Sequence, residues 1–341
     1  MRIAIDTMGG DRGSRAVIQG AALAVRAVPA LTLELFGPYR HVVAELSRLP
    51  QPLAAATSRL IPRDAGDAVP QCATAAWALR HGQDSSMAQM LDALNERRGV
   101  DAAVSAGNTA ALVALSRRVP GTLPGIGRPA ISTAIPARQQ GQCYLLDLGA
   151  NVDSPARRLV EFAFMGAAMA QSVDGIETPR VALLNVGAEA TKGSAGVREA
   201  DALLRGQAAR GAFAYSGYAE GGDIFSGDID VMVCDGFVGN AVLKSSEGLA
   251  GMLVERVQAA FESRLRGRLA SLLARPVLKR LKRELDPVRY NGASLLGLSR
   301  IVIKSHGGAQ AEGFYYAILR AVQEVEHDLP ARMAERWQAV P

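Results

Sequence analysis

Asparagines and lysines recur where apolar, β-forming runs give way to glycine: Asn108, Asn151, Asn185, Lys192, Asn240, Lys244 and Lys304. Amides and ammonium groups beside exposed backbone N–H groups suit a small oxyanion, or the oxyanion that develops on a carbonyl under attack. A single Asn-Gly pair is ordinarily only a turn. Six such loops in one chain point to a shared anion site, which a sugar phosphate or nucleotide would fit as well as inorganic phosphate. Commoner catalytic signatures are missing. There is no GxGxxG, no GxSxG and no GxxxxGK[ST]; residues 187–194, GAEATKGS, place the lysine one position early. His41, His81, His306 and His327 make no metal-ligand spacing with one another or with the cysteines. Neither a metal nor a cofactor is expected.

The stretch 229–248, IDVMVCDGFVGNAVLKSSEG, shows what must position such groups. A buried strand breaks into a glycine loop, and an Ala/Val/Leu pattern then opens a helix. A helix start leaves backbone N–H groups unpaired, where an anion can sit. Similar junctions follow strands expected at 2–6, 102–105, 143–148, 181–186 and 301–304. Repetition of strand, loop and helix predicts an α/β fold with a mostly parallel sheet and helical crossovers. The loops at 6–11, 105–109, 147–153, 185–192, 235–240 and 304–306 are then expected to gather at the carboxyl ends of strands.

Composition is that of a globular protein: 341 residues, 49% apolar and 21% charged. No run of 18 apolar residues suggests a membrane span, and the first residues read as a strand, not a signal peptide. Three scattered cysteines, Cys72, Cys143 and Cys234, argue against a disulfide framework and for a cytoplasmic setting. The net charge of +5 is local. Residues 261–285 carry a net +6 and the rest of the chain −1, so no nucleic-acid partner is expected.

The motifs MGGD (8–11), DSSM (84–87), SAGNT (105–109), LLDLGANVD (145–153) and LLNVG with KG (183–193) carry a family pattern. It continues through CDGFVGN with LKSSEG (234–248) and YNGASLLGL with IVIKSHG (290–307). Taken in order along the whole chain, they resemble the PlsX phosphate acyltransferases. The resemblance implies that inorganic phosphate attacks the thioester of a fatty acyl–acyl carrier protein, giving acyl phosphate and free carrier. It implies a homodimeric cytoplasmic enzyme of phospholipid synthesis, with a fold similar to isocitrate dehydrogenases and phosphotransacetylases. One unit, 1–341, would then divide softly into intertwined lobes at 1–128 and 129–260, a protruding hairpin at 261–285, and a segment at 286–341 that returns to the core.

On this reading Lys192 contacts phosphate or the oxyanion, and Asn240 donates to it with its loop backbone. Gly107, Asn108 and Thr109 would cradle phosphate at a helix start. Lys244 adds charge if its helix turns it inward, and otherwise pairs with Glu247. His306 either protonates the departing sulfur or hydrogen-bonds a loop. Asn185, Asp235, Gly239 and Lys304 complete the substrate-binding positions. Asp6, Asp11, Asp147 and Asp235 either orient these cations or brace turns. Arg12, Ala110, Ala188, Tyr218 and Gly222 depart from the family pattern, but none replaces Asn108, Lys192, Asn240 or His306.

In the basic segment Phe261, Leu265, Leu269, Leu272 and Leu273 fall on one helical face, and Pro276 ends that helix. Arg275, Lys279 and Arg280 belong to its charge. Three readings are open: a hairpin at a dimer interface, a peripheral contact with anionic lipid, or docking of an acidic acyl carrier protein. The resemblance supports membrane and carrier contact, and a membrane glycerol-3-phosphate acyltransferase of the PlsY type as recipient of the product. Two alternatives to the whole reading are a phosphotransacetylase-like enzyme using acyl-coenzyme A and a non-catalytic lipid-binding scaffold.

Overall fold

The protein is seen in a computed structural model that describes residues 1–95, 98–138, 141–208, 213–262 and 286–338. From the amino terminus run β1 (Arg2–Asp6), α1 (Gly13–Ala27), β2 (Thr32–Gly37), α2 (Tyr39–Ser47) and the short α3 (Gln51–Ala54). Next come β3 (Leu60–Asp64), α4 (Ala75–His81), α5 (Ser86–Asp92), β4 (Ala102–Ser105) and α6 (Thr109–Arg118). Then follow β5 (Ala130–Pro136), β6 (Gln142–Leu146), α7 (Ala156–Val173), β7 (Arg180–Leu184), α8 (Ala195–Ala208), β8 (Ala214–Ala219) and β9 (Val231–Val233). The chain continues with α9 (Gly236–Glu262), β10 (Ala293–Leu296), β11 (Ile301–Lys304), α10 (Ala311–Glu326) and α11 (Leu329–Gln338).

These strands form one sheet in the order β3-β2-β1-β4-β11-β10-β5-β6-β9-β7-β8. It is covered on both faces, which is why its strands read as nearly continuous apolar runs. Alternate residues face opposite ways: Ala4 packs in a core shared by both halves of the sheet, while Ile3 and Ile5 face α1 and α10. Likewise Cys143 and Leu145 join the shared core, whereas Tyr144 and Leu146 face α7, α8 and α11. Cys143 and Cys234 are buried and Cys72 is exposed, all three free.

The topology corrects one expectation. β3, β2, β1, β4 and β11 are parallel, as are β6, β9, β7 and β8, but β10 and β5 join the two sets through three antiparallel pairings. The two sets therefore run in opposite directions, and their carboxyl ends lie at opposite ends of the sheet's strands. The six glycine loops form two groups of three, not one. The reason is the connections: β5 to β6 and β10 to β11 are too short for a helical crossover, and short links enforce antiparallel pairing. Sequence reading also passes over α4, β10 and α11. The basic segment's residues Leu265, Leu269, Leu272, Leu273, Arg275, Lys279 and Arg280 lie outside the described residues.

A buried ion pair ties the halves together. Arg320 of α10 donates to Glu324 at 3.0 Å, with side chains only 13% and 2% exposed. Ser294 of β10 donates to the same carboxylate, and the guanidinium lies 5.3 Å over the ring of Tyr144 in β6. Removing one partner would leave a desolvated charge uncompensated. Glu324→Ala should therefore cost about 3–5 kcal/mol, and urea unfolding of variant and wild type would measure it.

Candidate active site

In the first group of loops, Asp6 at the end of β1 is the knot. It is buried and accepts from Ser86 Oγ at 2.6 Å, Ser105 Oγ at 2.6 Å, Gly9 N–H at 3.1 Å and Met8 N–H at 3.2 Å. Ser105 Oγ in turn accepts from Gly107 N–H at 3.0 Å. MGGD, DSSM and SAGNT thus meet on one carboxylate. Burial raises the Asp6 pKa, against the lowering effect of these hydrogen bonds. Gly9 is dictated by contact: a Cβ there would stand 2.6 Å from both Asp6 Oδ2 and Gly107 N. The loop after β11 closes the group, with Asp11 N–H donating to Gly307 O at 2.7 Å and Ser305 N–H to Ser105 O at 2.8 Å.

Asn108 has a different part from the expected phosphate donor. Its Oδ1 caps α6 through Ala111 N–H at 2.9 Å, and its Nδ2 donates to Gln71 O at 2.8 Å and Ala73 O at 2.9 Å. Gly107 N–H is likewise spent on Ser105. What the helix start leaves open are the N–H groups of Thr109 and Ala110, on exposed residues, which have no intrahelical acceptor. They stand at the positive end of α6, where negative charge is favoured.

Asp147 is the counterpart in the second group. It is buried and accepts from Ile131 N–H at 2.8 Å, Leu148 N–H at 2.7 Å, Asn151 N–H at 2.6 Å and Asn151 Nδ2 at 3.0 Å. Asn151 therefore braces this loop, donating also to Pro129 O at 2.9 Å. Burial raises the Asp147 pKa despite these donors. The loop meets the start of α9, where Gly236 N–H donates to Asn151 O at 2.8 Å. Asp235 caps α9 by accepting from Val238 N–H at 2.9 Å. Asn185 closes the loop after β7, donating to Gly187 O at 3.1 Å and Lys192 O at 3.3 Å. Lys192 stands at the rim, half-exposed, with Nζ 2.8 Å from Glu189. That hydrogen bond raises the Lys192 pKa and lowers that of Glu189.

Helix α9 links the two groups. Asn240 and Lys244 are four residues apart and share a face, flanked by Phe237 and Glu247. Asn240 is exposed, and no partner holds its amide among the described residues. Lys244 pairs with Glu247 at 2.9 Å, yet its charge reaches the first group: it lowers the pKa of both Lys304 and His306. Burial is the larger cause for Lys304 and pulls it from 10.5 down to about 8, while Asp11 and Asp6 oppose the fall. Its Nζ donates to Ser305 O and, at 3.4 Å, to Ala106 O. Burial also lowers His306 below its ordinary value, helped by Lys244 and Lys304. His306 Nδ1 accepts from Gly308 N–H at 3.0 Å, which assigns the proton of the neutral ring to Nε2.

Lys244, Lys304 and His306 thus share one electrostatic field beside the loops centred on Asp6, while Asn240, one turn earlier on α9, lies against the Gly149 loop of the second group. Lys192 lies one strand away from Asn240, since β7 neighbours β9. Asp235 and Gly239 shape the start of α9. Sequence reasoning assigned no part to Ser86, Ser105 or Asn291. Asn291 accepts from His306 N–H at 2.8 Å and donates to Ser305 Oγ at 2.8 Å, so it sets the loop that carries the histidine. Its Asn-Gly pair, next to a strand-like run, was the available signal.

Solved structures with this fold include a phosphotransacetylase from Streptococcus pyogenes, at TM-score 0.62 and 19% identity over 96% of this chain and 94% of that one. The EutD phosphotransacetylase from Staphylococcus aureus matches at TM-score 0.59 and 18% identity, with the same two shares covered. In sequence, a phosphate acyltransferase of Stutzerimonas stutzeri (strain A1501) is 49% identical over 334 residues, covering 98% of this chain and 91% of its own. A phosphate acyltransferase of Pseudomonas fluorescens (strain Pf0-1) is 49% identical over 336 residues, covering 98% and 97%. The model of the fatty acid synthesis protein family matches residues 1–332. With that family spanning nearly the whole chain and phosphate acyltransferases almost half identical to it end to end, the chain belongs to the fatty acid synthesis protein family of phosphate acyltransferases.

Proposed function

We propose that the enzyme transfers a fatty acyl group from the thioester of acyl–acyl carrier protein to inorganic phosphate, releasing acyl phosphate and free carrier. The observation that carries this reading is that Lys244 acts on the buried Lys304, whose ammonium donates to Ala106 O just before the open N–H groups of α6, with Asn240 one turn before Lys244 on α9. Phosphate is already an anionic nucleophile at neutral pH, so the protein's task is to seat and orient it. Lys304 and the Thr109 and Ala110 amides hold phosphate oxygens. Asn240 Nδ2 donates to the carbonyl oxygen as it becomes an oxyanion, and Lys244, freed from Glu247, neutralises it. Lys192 is the second-group cation that completes the field. A phosphate oxygen bonds to the carbonyl carbon and the C–S bond breaks. The sulfur leaves as a thiolate and takes up the proton the phosphate carried, giving free carrier thiol and the acyl phosphate dianion.

His306 enters as a neutral hydrogen-bond donor through Nε2–H. Its lowered pKa leaves little imidazolium at neutral pH, so steering phosphate suits it better than protonating sulfur. The division into lobes at 1–128 and 129–260, with 286–341 returning, fits the two oppositely directed strand sets. No helix among the described residues is long and apolar enough to cross a membrane. Contact with anionic lipid, with the carrier or with a second subunit through residues 261–285 remains part of this proposal. So does delivery of the product to a membrane acyltransferase.

The test is direct. Acyl–acyl carrier protein and phosphate are mixed with enzyme, and acyl phosphate is trapped with hydroxylamine. Wild type should form hydroxamate, and Asn240→Ala should do so on the order of 10²-fold more slowly. Product from acyl-coenzyme A but not from the carrier thioester would replace this reading with a phosphotransacetylase. Full activity in Asn240→Ala would remove that residue from the oxyanion site.

A further inference from the structure

The second group of loops has an apolar lip, beside Asn240, that none of the polar chemistry uses. Val152, Val186 and Phe237 are 68%, 76% and 69% exposed, unusual for large apolar side chains. They come from three separate loops, after β6, β7 and β9, and these strands are neighbours in the order β6-β9-β7. Val152 and Phe237 follow directly on Asn151 and Gly236, whose backbones share a 2.8 Å hydrogen bond. Phe237 precedes Asn240 by three residues and Lys244 by seven, so all three lie on one stripe of α9.

We propose that Phe237, Val152 and Val186 form the lip that receives the acyl chain of the thioester and sets the preference for long chains. This rests on the acyl-transfer reading above. An acyl group whose carbonyl is held by Asn240 must lay its tail on whatever borders that amide, and this lip borders it. Ligands of parallel strands sit outside their carboxyl ends, where all three loops lie. Of the other exposed apolar residues of α9, Leu249 and Leu253 fall on the opposite stripe.

The experiment compares kcat/KM for acyl–acyl carrier protein donors of sixteen and eight carbons, followed by hydroxylamine trapping. Phe237→Ser should lower the ratio of long to short by about tenfold, and Val152→Ser with Val186→Ser should lower it further. Leu253→Ser, on the opposite stripe, should leave the ratio unchanged. Circular dichroism and solution mass accompany each variant, and both should match wild type. An unchanged ratio in Phe237→Ser, or an equal fall for both donors, would overturn the proposal. A change in solution mass would overturn it too, assigning the lip to contact with a second copy of the chain. A wild type that makes no acyl phosphate from any donor fails the reaction reading itself, and the lip with it.

Discussion

Lys304→Met should reduce phosphate-dependent acyl transfer by on the order of 10²–10³-fold while leaving the fold at least as stable as wild type. The two expectations have one cause. Lys304 ends β11 with its ammonium desolvated and held by backbone carbonyls of Ala106 and Ser305. Asp11 and Asp6 compensate only in part, so its pKa falls from 10.5 to about 8. A cation kept under such conditions is a cost to folding that phosphate binding can use, because an anion bound beside it supplies the missing countercharge. Methionine keeps an unbranched side chain, one atom shorter, and removes the charge. Steady-state kinetics and thermal unfolding of the same preparation would check both halves. Equal activity in the variant would place phosphate elsewhere.

The same residue yields a pH dependence. Lys304 is charged below about 8 and neutral above it, so phosphate affinity should weaken as pH rises through that value. Stability runs the other way. Between about 8 and 10.5 the unfolded chain holds a proton that the folded chain has released. Stability attributable to Lys304 therefore increases with pH across that window. Lys304→Met should flatten both trends, which a merely structural lysine would not do for the KM of phosphate.

Gly239→Val should be the most damaging single substitution at the start of α9. The Cβ of any larger residue there would lie 1.9 Å from the carbonyl oxygen of Asp147 and 2.9 Å from Cys234 Sγ. Both obstacles are fixed: the carbonyl is backbone, and Cys234 is buried at the end of β9. Asp147 itself is held by Ile131, Leu148 and Asn151. Relief requires moving α9 away from the loop, at about 3 kcal/mol, the upper end for overpacked sites. Because α9 carries Asn240 and Lys244, activity should fall further than the loss of folded protein explains. Gly248→Ala is the control. It lies on the same helix with nothing within 4 Å of the new Cβ, and should be neutral or stabilising by about 0.5–1 kcal/mol. Denaturant midpoints for the two variants would separate a contact effect from a general intolerance of α9 to substitution.

Much of the architecture was written locally. Strands β1, β4 and β11 and the helices after them follow from apolar runs ending in Gly, Asn and Asp, because burial on both faces leaves an unbroken apolar signature. The family motifs located the loops to within a residue or two. Absence of nucleotide, metal and serine signatures narrowed the chemistry to an anion held by amides and ammonium groups. What the pattern of residues could not carry was direction and partnership. Whether two strands run parallel depends on what lies between them, and the helix-free links from β5 to β6 and β10 to β11 reversed half the sheet. Asn108 looked like a ligand and is a cap, since only the folded chain brings the carbonyls of Gln71 and Ala73 within reach of its amide. Lys244 and Lys304 are sixty residues apart, and α9 and β11 set them in one electrostatic field. Residue types and spacing determined the glycine loops and the expectation that they serve a small anion. How those loops are grouped and braced was decided by long-range packing, because burial, charge coupling and the spending of each hydrogen bond exist only between segments distant in the chain.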